Sequence, residues 1–115
     1  MDKKIEGEGK QAALIAMGHS HFVKNVVVVD KDIDPFNEEE VMWCVATRVQ
    51  ADEDVDILEN IRGCPLDPSL KGNIMTSKMV IDATKPIERP FPKRLEIPIE
   101  SLNKVKPLLQ GKGLI

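Results

Sequence analysis

The hydrophobic pattern of the chain changes period around one short stretch. Val26 to Val29 is an uninterrupted β-branched run, the pattern of a strand covered on both faces of its sheet. Asp30, Asp32 and Asp34 then alternate with Lys31 and Ile33. Pro35 forces a turn here, because it lacks a backbone donor and disfavours a helical Asp34. Asn37 is placed to cap a helix, with Glu40 at the capping-box position and Phe36 set to staple onto Val41. Val41, Met42, Val45, Ala46 and Val49 then recur at helical spacing and form one apolar face.

Ahead of this unit, residues 1–9 are charged and glycine-containing and read as a loose lead-in. Gln11 to Met17 is a run of good helix formers, and Gly18 stands where a glycine would end the helix. Beyond the unit, Val55 to Glu59 reads as a second strand entered through an acidic turn at Asp52 to Asp54. Strand, helix and strand with a short return imply a right-handed crossover and a parallel pair. The loops 30–36 and 60–69 would then share the sheet edge where open α/β folds bind ligands. Residues 61–77 contain Gly63, Pro65, Pro68 and Gly72, so they read as a long irregular loop, of a length that is commonly either functional or disordered. Met79 to Asp82 is a third strand, and residues 86–92, with Pro86, Pro90 and Pro92, are extended. Arg94 to Ile97 reads as a fourth, edge-like strand, and Ser101 as the cap of a last helix that Pro107 interrupts. The expected fold class is α/β: one domain over residues 1–115, with a small mainly parallel or mixed sheet of about four strands and two to three helices.

Length and charge narrow the functional classes. A chain of 115 residues supports one core without metal or disulfide help. A net charge of −3 with mixed signs, and only one Trp, three Phe and no Tyr, leave no basic or stacking footprint for nucleic acid. Cys44 and Cys64 match no zinc or redox spacing and read as reduced thiols, which places the chain in the cytoplasm. No apolar run approaches the roughly 18 residues of a membrane span, and MDKKIEGEGK lacks the apolar stretch of a signal peptide.

Several constellations invite specific chemistry. Read as a calcium loop, Asp30, Asp32 and Asp34 fail, because Pro35 stands at the glycine position and Val41 at the closing glutamate. They also fit a dehalogenase-type phosphatase poorly, since Asp34 replaces the residue type expected there. A receiver-like phosphoacceptor lacks its aspartate at the end of Val55 to Glu59. The remaining reading is a solvated acidic turn that caps amides near a helix amino terminus. His19 and His21 make half a metal site, and the simpler reading is two loop histidines. Cys64 has no neighbour in sequence that would lower its pKa, and Met42 and Trp43 read as core or interface. Lys78 and Lys85 are candidates for anion binding, with an exposed lysine as the default for each. Walker, G-x-S-x-G and glycine-rich phosphate motifs are absent. These residues define no catalytic set and no metal site.

Three stretches taken in order carry a resemblance. KNVVVVDKDIDPFNEEEVMWCVATRV (24–49), RGCPLDPS (62–69) and TSKMVIDATKP (76–86) resemble the carboxyl-terminal domain of the UbiD family, and GEGKQAALIAMG (7–18) resembles the segment leading into it. That family comprises reversible decarboxylases of aromatic and α,β-unsaturated acids that use prenylated FMN. Its members are several times longer, and their flavin, divalent metal (manganese or magnesium) and acid-base residues precede this domain.

The resemblance implies a small subunit, similar in logic to those of the phenylphosphate carboxylases, that binds no cofactor alone. A larger UbiD-like partner would hold prenylated FMN and metal, in an oligomer with no nucleic-acid or membrane role. It also implies that Cys64, Pro65 and Leu66 are substrate-pocket wall, and that Met42, Trp43 and the segment after Ser101 are interface. Val80 stands where relatives often carry glycine. The initiating methionine and charged lead-in point to a complete small gene product, and a domain cut from a longer enzyme stays open. So do a non-catalytic assembly module and a receiver-like domain.

Overall fold

A computed structural model describes residues 1–92 of the chain. The elements run α1 (Glu8–His19), β1 (Asn25–Val29), α2 (Glu38–Arg48), α3 (Ala51–Asp54), β2 (Val55–Arg62) and β3 (Met75–Ala83). The expected strand at Arg94 to Ile97 and the helix from Ser101 lie outside the described residues. Among those described, three strands form a mixed sheet of order β1-β3-β2, in a small α/β domain.

The valine run works as expected. Val26 and Val28 pack with Val80, Ala13 and Met17 under α1. Their neighbours Val27 and Val29 pack with Ile81, Ala83, Ile33 and Cys44 under α2. Because successive strand side chains point to opposite faces, a helix covers each side of the sheet, and Val29 is buried while Val26, Val27 and Val28 are partly buried. Val80 is fully buried and packs with Ala13 and Met17, so its side chain is part of the core under α1.

Strand pairing departs from expectation. β1 runs parallel to β3, with Val26 opposite Val80 and Val29 opposite Ala83, whereas β2 runs antiparallel to β3. The expected β1–β2 parallel pair does not exist. β2 and β3 are the arms of a hairpin, which satisfies their backbone groups locally, and β3 has the apolar residues needed on both faces at the sheet centre. β2 is the more exposed edge, and a bulge between Leu58 and Ile61 with Asn60 in the left-handed region (φ 57°) bends it. The acidic stretch before β2 is a short helix rather than a turn.

Both longer helices differ from the expected outline. Gly18 lies within α1, and Ser20 in extended conformation follows its last residue. The lead-in is tied down: the Met1 ammonium donates to Val29 O at 2.8 Å, and Glu6 accepts from the Lys3 ammonium and the Ile87 and Glu88 amides. Asn37 caps α2 by accepting from Glu40 N at 3.3 Å. Glu40, however, reaches back to Asp34 N, and Phe36 is 94 % exposed, so the staple does not form. An Asx turn, with Phe36 N donating to Asp34 Oδ1, accompanies this outward ring. The inward face of α2 centres on Cys44 and Arg48, while Met42 and Ala46 are exposed.

Candidate functional site

The strand directions place the two loops of interest at opposite ends of the sheet. The loop after β1 meets the end of β3, where Lys85 N donates to Asp30 Oδ2 at 2.9 Å. The hairpin loop 63–74 lies at the other end, beside the residues that enter β1. The expectation that both loops share one edge is thereby corrected.

At the first end, the acidic turn is a structural clamp. Arg48 is buried, with its side chain 1 % exposed, and its guanidinium donates to Asp30 Oδ2 at 2.8 Å and to both Asp32 oxygens at 3.2 and 3.1 Å. The hydrogen bonds from Arg48 hold the Asp32 carboxyl below the usual carboxylate range, against the opposing effect of burial. The guanidinium also lies 5.1 Å from the centre of the Trp43 ring. Asp30 and Asp32 are therefore paired rather than simply solvated. Arg48 was missed in the sequence because a lone arginine near a helix end reads as a solvated residue. Its spacing of four from Cys44 was the available signal.

At the second end, the loop folds over a small cleft. Gly63 N donates to Ile74 O at 2.7 Å and closes the base of the hairpin. A Cβ added to Gly63 would lie 3.0 Å from Thr76 Cγ2 and 3.1 Å from Ile74 O, so this close approach explains the glycine. Asp67 organises the turn beyond it: its Oδ1 accepts from Ser69 N and Oγ, and its Oδ2 accepts from Lys24 Nζ at 2.8 Å. Lys24 also donates to Ser69 Oγ at 2.5 Å. The Lys24 ammonium, followed by the two Ser69 donors, holds the Asp67 carboxyl down at about 2.

The cleft beneath has a volume of about 220 Å³, and His21, Phe22, Lys24, Gly63, Cys64, Leu66, Asp67, Thr76 and Lys78 line it. Phe22 and Leu66 are 63 % and 86 % exposed, and the His21 and Phe22 rings lie 4.3 Å apart. Of the expected wall residues, Cys64 and Leu66 face the cleft, and Pro65 lies exposed between them. Cys64 is a free thiol, half-buried. Lys78 reverses the expectation of an exposed lysine: it is 2 % exposed and donates to His21 O at 3.2 Å. Sequence reasoning did not bring Phe22, Lys24 and Lys78 to this loop, because a parallel β1–β3 pair was needed to do so.

Elsewhere, Met42 is 63 % exposed, whereas Trp43 packs partly against the core. His19 ends α1, and among the described residues no group of three or more His, Cys, Asp or Glu is placed to hold a metal ion. No helix of the described residues is long and apolar enough to cross a membrane.

Comparison with known proteins gives these features a family context. Residues 1–83 match the model of the 3-octaprenyl-4-hydroxybenzoate carboxy-lyase C-terminal domain. The anhydromevalonate phosphate decarboxylase of Aeropyrum pernix is 44 % identical over 88 residues, which is 76 % of this chain and 20 % of that protein. The phenolic acid decarboxylase of Sedimentibacter hydroxybenzoicus is 48 % identical over 77 residues, covering 66 % of this chain and 16 % of that protein. Among solved structures, the UbiD-class enzyme HmfF from Pelotomaculum thermopropionicum, in complex with FMN, superposes with a TM-score of 0.78 at 45 % identity. It covers 94 % of this chain, which in turn covers 24 % of it. The chain thus spans at most about a quarter of the length of the relatives it matches.

Proposed function

The chain belongs to the UbiD family, as its carboxyl-terminal domain, and from that premise we propose that it is the part of a decarboxylase or carboxylase that completes a substrate pocket begun by a larger polypeptide. The chemistry is cleavage or formation of a carbon–carbon bond at the carboxyl group of an aromatic or unsaturated acid. Prenylated FMN would supply the electron sink when bound to the larger partner. This chain contributes shape, exclusion of water and oligomer contacts, either as a separate small subunit or as a domain of a longer enzyme.

The observation that carries this reading is the apolar rim of the cleft. Leu66, on a loop that hydrogen bonds hold in shape, and Phe22, in the segment that leads into β1, stand out from the domain with most of their surface in water. An ordered loop that presents uncovered apolar side chains is built to meet something else. Met42 and Phe36, both exposed near α2, offer a second surface for assembly.

Electrostatics supports assigning the flavin to the partner. A basin of about 520 Å³ is lined by six carboxylates against three cations, which disfavours a flavin phosphate. That basin therefore does not suit the flavin phosphate. With both cysteines free, the reducing cytoplasm is the compartment assigned to the complex.

Co-expression with a larger UbiD-type polypeptide, followed by assay of labelled carbon dioxide exchange, tests the proposal. Exchange that requires this chain supports it. Exchange that proceeds equally well in its absence overturns it and leaves an assembly module.

A further inference from the structure

We infer that Lys78 receives an anionic oxygen of a small apolar organic acid bound in the cleft, and so sets which substrates the pocket accepts. This deepens the proposal above and rests on its reading of Cys64 and Leu66 as pocket wall.

Burial is the first ground. Lys78 is among the largest fully buried side chains of the described residues, yet it carries an ammonium. A charge removed from water is strongly unfavourable unless it is paired. None of the ion pairs among the described residues includes it. One of its three donors reaches His21 O, a neutral carbonyl at 3.2 Å. The group is therefore held in place, short of a counter-charge, and on the wall of a cleft.

The surroundings select the occupant. Lys24, the other lysine of the cleft, is neutralised by Asp67, so among the described residues a single uncompensated cation remains and favours a monoanion over phosphate. Phe22, Leu66 and Cys64 line the same cleft and give it apolar surface. The volume of about 220 Å³ is below the roughly 300–1,000 Å³ of drug-sized pockets and suits one aromatic ring with its substituents. A carboxylate and a phenolate share the required chemistry, an anionic oxygen on an apolar ring. In either case Lys78 is a positioning and selecting residue, and the proton and carbon dioxide of the reaction pass elsewhere.

The test is titration of the full ¹⁵N-labelled chain with sodium benzoate, 4-nitrophenolate, inorganic phosphate and neutral benzyl alcohol. The amides of Phe22, Cys64, Thr76 and Lys78 report binding. We expect saturable shifts with benzoate or 4-nitrophenolate, whichever source of the anion the site takes, at about tenfold higher affinity than benzyl alcohol or phosphate. Lys78→Met should abolish that preference and Lys78→Arg should keep it. If Lys78→Met does not fold, the comparison of benzoate, 4-nitrophenolate and benzyl alcohol on the unaltered chain decides alone. Equal affinity for the neutral alcohol, tighter binding of phosphate, an unaltered preference in folded Lys78→Met, or no saturable binding of either aromatic anion overturns the inference. Carbon dioxide exchange that depends on the chain while neither aromatic anion binds sinks this inference alone. Binding without such dependence sinks the proposed function alone.

Discussion

Lys24 Nζ lies 2.8 Å from Asp67 Oδ2, joining the residue that enters β1 to the turn of the hairpin loop. The Asp67 carboxyl, held down at about 2 chiefly by that ammonium, should keep the loop closed in acid. Its folded value is below its ordinary 3.8, so its contribution is complete above about pH 4–5 and is lost as pH falls through about 2. The Ser69 and Leu70 amide shifts should therefore titrate with a midpoint near 2, and Asp67→Asn should remove that step. A midpoint near the ordinary 3.8 in the unaltered chain would show that the ion pair does not form in solution.

Arg48 holds the other end of the sheet. Replacing it by Ala leaves Asp30, whose side chain is 13 % exposed, without its cation and opens a hole beneath Trp43. The expected loss of stability is on the order of 2–4 kcal/mol, reduced from the fully buried case because Asp32 is 43 % exposed. Urea denaturation measures it. A change within about 0.5 kcal/mol, the range of ordinary surface substitutions, would mean that the clamp contributes nothing.

Two glycines of α1 should respond in opposite directions. A Cβ on Gly9 would lie 2.5 Å from Asp82 Oδ1, an oxygen that also accepts from Thr84 N and Oγ1. Gly9→Ala should cost about 1–3 kcal/mol despite better helix propensity, and the added Asp82→Ala change should recover part of it. Nothing lies within 4 Å of a Cβ on Gly18, so Gly18→Ala should stabilise by about 0.5–1 kcal/mol. Thermal denaturation of the variants compares them directly.

The legible parts of this fold were those decided within a few residues. The valine strand, the Asn37 cap and the start of the strand at Val55 are local, and each occurs where the pattern placed it; the irregular stretch is shorter than expected, because β2 runs on past Glu59 to Arg62 and β3 begins at Met75 rather than Met79. Pairing was the hidden part. Local pattern cannot say which strand becomes the neighbour of β1, and the hairpin partner β3 took the centre that β2 was expected to share. Arg48 and Lys78 stayed hidden for a related reason. A charged residue among apolar ones reads as solvent-facing until the groups that surround it are known. The expectation of a pocket wall at Cys64 and Leu66 came from resemblance to a family, and the cleft that they line came from the fold.

Leu66 bears most directly on the pocket-wall role, since its side chain is mostly in water and makes little of the core. Leu66→Ala should leave the stability of the chain within about 0.5 kcal/mol of the original. The deciding measurement is kcat/KM of the assembled enzyme, with the unaltered chain and with its Leu66→Ala variant, for a series of acids of increasing size. A pocket-wall role predicts that the ratio between bulky and small substrates rises by about 5-fold or more, in line with the roughly 1–3 kcal/mol that one methylene contributes in an apolar pocket. An unchanged ratio across the series would contradict it.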